Sequence, residues 1–292
     1  MRDFSHNHDW LSINTATLRR QEGNEVPLDV IIDQCASFGI KAVSPWRDQV
    51  AAVGLAKVAA RLDEAGIGLS GYCRGGFFPA ASSAGVKAAL EDNRRAIEEA
   101  RALNAPCLVL VVGSLPGALE GKAAYKDIAR ARAEVRDGIG ASLEFARSAG
   151  MPLAIEPLHP MQAADRACIN TLEHALDLCD ELDPVRSGML GVAVDIYHVW
   201  WDPKLQQQIA RAGRERLLAY HVCDWLTPTR DLVLDRGMMG DGVVELKKIR
   251  GWMEEAGYAG FSEVEIFSAL DWWKRRGEDT LRVCIERHRT FV

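Results

Sequence analysis

The sequence predicts an α/β chain folded as one (β/α)8 barrel, a TIM barrel. Three observations carry this. Short β-rich runs alternate with stretches of helical spacing. One helix-to-strand turn motif recurs four times. No signature of the competing doubly wound sheet is present.

The strand candidates begin near Trp10, Lys41, Ile67, Cys107, Pro152, Gly191, Leu217 and Phe261. Between them, apolar positions recur every three, four or seven residues, as one buried helix face requires. Val86, Leu90, Ile97, Ala100 and Leu103 form one such face, and Val243, Leu246, Ile249, Trp252, Met253 and Ala256 another. Strands alternating with such helices imply βαβ units and a parallel sheet.

The turn motif appears as Ser37-Phe38-Gly39-Ile40, Glu64-Ala65-Gly66-Ile67, Ser148-Ala149-Gly150-Met151 and Glu255-Ala256-Gly257-Tyr258. Each places Gly just past a helix and an apolar residue at the entry to the next strand. Gly suits the left-handed position that ends a helix. Eight units over 292 residues leave about 36 residues per unit, as a barrel needs. A doubly wound sheet would normally show a GxGxxG or Walker-type loop, and neither is present. Nothing linker-like divides the chain, so one domain over residues 1–292 is expected.

Composition narrows function. Lys and Arg total 35 against 41 Asp and Glu, a formal charge of −6. That disfavours a nucleic-acid binder and a polybasic membrane anchor. No apolar run approaches the ~18 residues of a membrane span, and Met1-Arg2-Asp3-Phe4-Ser5-His6 lacks a signal-peptide core. The seven cysteines are scattered without CxxC spacing, consistent with reduced thiols. A cytoplasmic protein is expected, with a homo-oligomer left open.

The chemistry lies in the second half. Leu153-Ala154-Ile155-Glu156, Gly191-Val192-Ala193-Val194-Asp195, Leu217-Leu218-Ala219-Tyr220-His221 and Phe261-Ser262-Glu263-Val264-Glu265 are apolar strands ending in an acid or an imidazole. The ends are 39, 26 and 44 residues apart, one βα unit each. Strand C-termini converge on one barrel mouth, where active sites sit. Each acid alone fits a helix cap or a solvated loop; four in register point to a cation site. Three carboxylates and one imidazole suit Mn²⁺, Mg²⁺ or Co²⁺ better than a thiolate-preferring zinc site.

These strand ends, with Ile155-Glu156-Pro157-Leu158, Val194-Asp195-Ile196-Tyr197-His198 and Gly257-Tyr258-Ala259-Gly260, resemble the xylose-isomerase-like sugar phosphate isomerase/epimerase superfamily. The likeness is nearest to its ketose 3-epimerase, hydroxypyruvate isomerase and inosose dehydratase branches. Ile169-Asn170-Thr171 and Gly240-Asp241-Gly242-Val243 extend it. The resemblance implies one divalent cation, Mn²⁺ before Mg²⁺ or Co²⁺, held by Glu156, Asp195, His221 and Glu265. It implies proton transfer by Glu156 and Glu265 beside a carbonyl of a sugar, cyclitol or keto-sugar, through an enediolate. A metal-dependent lyase of an inosose or 3-oxo-glycoside shares that first step and stands as the alternative. An endonuclease IV-like nuclease would need more His and Glu ligands and a surface for duplex; a non-catalytic barrel would not need all four ligands.

The resemblance also assigns substrate contacts to His198 and to Arg236. From the residues themselves, His159, Asp224, Arg74 and Trp46 are further candidates at strand ends, each balanced by an ordinary structural role. Arg74 and Arg236 offer fixed charge for a single phosphate or carboxylate. Glu263 shares a strand face with Glu265 and needs a buried partner, for which Lys41 is the candidate. His6 and His8 are expected to be solvated.

Overall fold

The computed structural model describes residues 2–292. Nine parallel strand segments form one sheet: β1 (Leu11–Asn14), β2 (Ala42–Ser44), β3 (Gly68–Leu69), β4 (Tyr72–Gly76), β5 (Leu108–Val111), β6 (Leu153–Ile155), β7 (Leu190–Asp195), β8 (Leu217–Val222) and β9 (Ser262–Val264). Their spatial order is β3-β2-β1-β9-β8-β7-β6-β5-β4. Only Ser70 and Gly71 separate β3 from β4, so these two segments occupy one stave. The ring closes where Trp46 bridges Cys73 in parallel and the Cys73 N–H donates to the Pro45 carbonyl at 3.0 Å. The result is a barrel of eight staves, not an open sheet.

Every predicted strand start falls within one residue of an observed one. The helices are α1 (Leu28–Ser37), α2 (Arg47–Val53), α3 (Leu55–Ala65), α4 (Ser83–Ala102), α5 (Ile128–Ala149), α6 (Leu172–Leu182), α7 (Ile196–Val199), α8 (Leu205–Arg216), α9 (Leu246–Glu255) and α10 (Gly277–Phe291), with the short α7 buried at the mouth. Val243, expected on the α9 face, precedes the helix and is exposed. No helix among the described residues is long and apolar enough to cross a membrane.

The four glycine turns share one bond set. Gly39, Gly66, Gly150 and Gly257 all have positive φ. The residue after each donates its N–H five residues back: Ile40 to Cys35, Ile67 to Leu62, Met151 to Ala146 and Tyr258 to Met253. This 6→1 closure satisfies carbonyls that a helix end leaves orphaned. A fifth joint uses Asn104 at φ 55, with Ala105 donating to Ala100. Asn tolerates the left-handed region better than most non-glycine residues, so this joint carried no glycine to betray it.

Along each stave, one set of side chains faces the helices and the alternate set faces the barrel axis. Leu11, Ile13, Val43, Leu108, Leu110, Leu153, Ile155, Val192, Val194 and Val264 belong to the main core between sheet and helices. Cys73, Cys107, Val109, Ala154, Ala193 and Ala219 form a separate small cluster. The barrel axis is therefore filled by small residues. Two residues further along three of these strands stand Glu156, Asp195 and His221. Small side chains below leave room for polar ones above, so the period of two delivers the site. All seven cysteines are free and buried.

Candidate functional site

Glu156, Asp195, His221 and Glu265 meet at the C-terminal mouth, each offering one ligand atom, all within 4.8 Å of one another. All four are buried. Strand pairing sets this, since His221 lies opposite Asp195 on one side and Glu263 on the other. Nδ1 of His221 sits 3.0 Å from Glu156 Oε1 and 3.6 Å from Glu265 Oε2. Both His221 nitrogens and Glu156 Oε1 are buried without a hydrogen bond among the described residues.

The charges explain what this cluster wants. Burial disfavours a charged His221, but Glu263, Glu156 and Glu265 outweigh it and hold its pKa well above the usual imidazole value. Burial drives the Glu156 carboxyl up to about 7, with Glu265 adding to the rise and His221 opposing it. Burial would raise Glu265 too, yet Arg236 and His221 pull it below the usual range. The cluster carries more negative than positive charge. Its orphaned atoms and hard oxygen-rich donor set fit a divalent ion.

Arg236 is the one strong base inside it. Its Nη1 donates to Asp195 Oδ2 at 2.9 Å and to Glu265 Oε2 at 3.0 Å. The guanidinium lies over the Tyr197 ring at 4.5 Å. Arg236 is buried, only 6% exposed.

A cavity of about 190 Å³ opens above the cluster. Glu156, Glu265, His198, Arg236, Trp46 and Arg74 line it; Asp195 and His221 do not. His198 is buried and held neutral, its pKa pushed down to about 3 by burial, against the pull of Asp195. The His159 backbone N–H donates to His198 Nδ1 at 3.1 Å. A neutral ring has one acceptor, so the proton sits on Nε2, beside Asp195 Oδ2 at 3.6 Å. The 3.2 Å approach of Arg236 Nη2 to Nε2 is then a contact and no second hydrogen bond. The Trp46 indole N–H donates to Asn14 Oδ1 at 2.7 Å, leaving its ring as cavity wall.

Two candidates lie elsewhere. Asp224 is buried and accepts backbone N–H groups from Trp225, Gly240 and Val244 at 2.9–3.0 Å. It ties down the long loop after β8 and does not line the cavity. His159 stacks on Trp225 at 4.8 Å and accepts the Met161 N–H, capping a short turn. Its main chain, not its ring, serves the site.

Glu263 does point into the barrel, but Lys41 is exposed and takes no part. Its partners are Asn14 Nδ2 at 2.8 Å, Ser70 Oγ at 2.8 Å and His221 Nε2 at 3.4 Å. Strand two carries Lys41 at its outer start, below the level of Glu263, so the geometry forbids the pairing. His6 is exposed as expected. His8 is not free: its Nε2 meets the Phe38 carbonyl at 3.0 Å, satisfying a group at the end of α1. Sequence reasoning missed Gln162 and Arg166, which line the cavity from the loop after β6. Their signal was position alone, in a loop at the mouth.

A family model described as xylose isomerase-like TIM barrel matches residues 32–283. The chain belongs to the xylose isomerase-like TIM barrel family. Among solved structures, protein SMc04130 from Sinorhizobium meliloti 1021 is 53% identical, with TM-score 0.91 over 98% of this chain and 99% of that one. The IolI protein with a bound zinc atom superposes with TM-score 0.80 at 17% identity, over 97% of this chain and 99% of that one. An inosose isomerase from Halalkalibacterium halodurans is 25% identical over 198 residues, 65% of this chain and 64% of that relative. The chain thus matches somewhat less than two thirds of that relative's length.

Proposed function

We propose that this family member is a divalent-metal-dependent isomerase or epimerase that moves a proton next to the carbonyl of a sugar, cyclitol or keto-sugar. The observation that carries the reading is the buried meeting of Glu156, Asp195, His221 and Glu265 within 4.8 Å, beneath a cavity of sugar size. Likeness to an inosose isomerase supports isomerisation ahead of elimination.

A divalent ion held by these four residues supplies Lewis-acid stabilisation of negative charge developing on substrate oxygens. The chain does the rest. Glu156 and Glu265 line the cavity, whereas Asp195 and His221 are sealed beneath it. The two glutamates project from β6 and β9, three staves apart, and so approach a molecule in the cavity from two sides. One removes the proton and the other returns one to the carbon. His198 presents Nε2–H to a substrate oxygen. Trp46, Phe77 and Phe267 offer apolar faces to the C–H side of the ring and exclude water.

The test combines metal analysis with NMR detection of deuterium uptake from D₂O across keto-sugars, inososes and 3-oxo-glycosides. Stoichiometric metal with exchange and a rearranged product is the expected result. Exchange followed by loss of water would assign a dehydratase instead. Cleavage of abasic-site DNA with no exchange in any sugar would overturn the reading.

A further inference from the structure

We propose that Arg74 and Arg166 form an anion-binding subsite in the cavity wall, so that the substrate is an anionic sugar derivative, a carboxylate or a phosphate ester. The inference rests on the sugar reading above and narrows its substrate class.

The two guanidiniums reach one cavity from different staves, Arg74 from β4 and Arg166 from the loop after β6. Neither makes an ion pair or a side-chain hydrogen bond among the described residues. Arg166 Nε is fully buried and unpartnered. Three other arginines, each at least partly buried, are ion-paired. Arg236 holds Asp195 and Glu265, Arg47 holds Asp92 and Glu99, and buried Arg216 holds Asp183 at 2.8 Å. Two acids whose charge reaches this pair, Asp48 towards Arg74 and Asp231 towards Arg166, have other partners. Asp48 pairs with Arg19, and Asp231 accepts the Val233 and Leu234 N–H groups at 2.8 Å.

Arg74 is presented in a particular way. Its guanidinium lies over the Phe77 ring at 4.1 Å. Stacking uses the flat face and leaves the in-plane N–H fork free. Burial pulls the Arg74 pKa down, the mark of a cation that lacks a counter-charge. A half-buried cation without a partner is costly. An oxyanion bridging the two forks supplies what is missing, through charge-assisted hydrogen bonds. Within the acid cluster Asp195 and Glu265 face Arg236, and Glu156 lies against His221 Nδ1 at 3.0 Å.

The experiment is calorimetric binding to manganese-loaded protein of three ketoses: D-fructose, D-fructose 6-phosphate and 5-keto-D-gluconate. At least one anionic ketose should bind tenfold or more tighter than D-fructose, and which one does so separates phosphate from carboxylate. Arg74→Met and Arg166→Met should each cut that preference about tenfold. Arg74→Lys and Arg166→Lys keep charge but lose the fork; they should cut it several-fold, and they decide the matter if the Met variants do not fold. Wild-type protein without anion preference, or Lys and Met variants that keep it whole, overturns the subsite. Deuterium exchange on the same samples keeps the two readings apart. Anion preference without exchange in any sugar sinks the isomerase reading alone, whereas exchange in D-fructose without anion preference sinks the subsite alone.

Discussion

Glu263 Oε1 lies 3.4 Å from Nε2 of His221, and both side chains are buried. Asn14 and Ser70 hold the carboxylate in place from the other side. With Nε2–H turned towards Glu263, Nδ1 is left facing Glu156 and Glu265. A carboxylate behind a ligating imidazole fixes its tautomer and raises its basicity. Glu263→Ala should therefore weaken Mn²⁺ binding by about 10–100-fold, read by calorimetry. Unchanged affinity would show that His221 is oriented by something else.

Glu156→Gln and Glu265→Gln should each lower turnover by about 10²–10⁴, with substrate affinity far less affected. Metal occupancy is measured on the same samples, since both residues belong to the cation cluster. Metal-replete Gln variants with near-normal rates would remove the pair from the proton transfer.

His198→Ala should reduce kcat/KM by about tenfold or more, the scale of one lost polar contact to substrate, while metal content stays near wild type. His198 lines the cavity but sits 3.6 Å from Asp195 through a proton-bearing nitrogen, so it has no lone pair for the cation. Metal loss in this variant would place it among the ligands.

His288 is buried, stacked on Phe4 at 4.5 Å, and burial pushes its pKa down to about 3. In the unfolded chain it titrates near ~6.5. Between those values the unfolded state binds a proton that the native state refuses. Stability is then full above pH ~6.5 and falls on acidification, by up to about 1.4 kcal/mol per pH unit from this group. His288→Phe should flatten the denaturation-midpoint profile from pH 6.5 towards 4. An unchanged slope would refute the assignment.

Gly138 lies inside α5, where alanine would gain about 1 kcal/mol in helix propensity. A Cβ there would come 2.4 Å from the Phe78 ring. Overpacking costs about 1–3 kcal/mol, so Gly138→Ala should destabilise on balance. A raised melting temperature would show that Phe78 can move aside.

Most of this fold was legible because it repeats. Eight hydrophobic runs and four glycine turns report local requirements, and local requirements are written in neighbouring residues. The acid cluster was legible for the same reason: Glu156, Asp195, His221 and Glu265 occupy equivalent strand ends. What the sequence could not disclose depends on loops. Asp224 looked like a ligand for hydroxyls because only the folded loop shows three backbone N–H groups converging on it. Arg166 looked ordinary because the bend that brings it to the cavity is tertiary. The partner of Glu263 was misread because Asn14 and Ser70 are far away in the chain and meet it only when the barrel closes.

The glycine-closed joints all precede strands, at the end of the barrel opposite the acid cluster. For laboratory evolution this separates two kinds of mutational freedom. Libraries confined to the loops after β4, β6 and β8 can vary what the cavity admits while leaving the clasps untouched. Random mutagenesis over the whole chain would instead also strike Gly39, Gly66, Gly150 and Gly257, where a side chain meets an unfavourable backbone and no new chemistry is within reach.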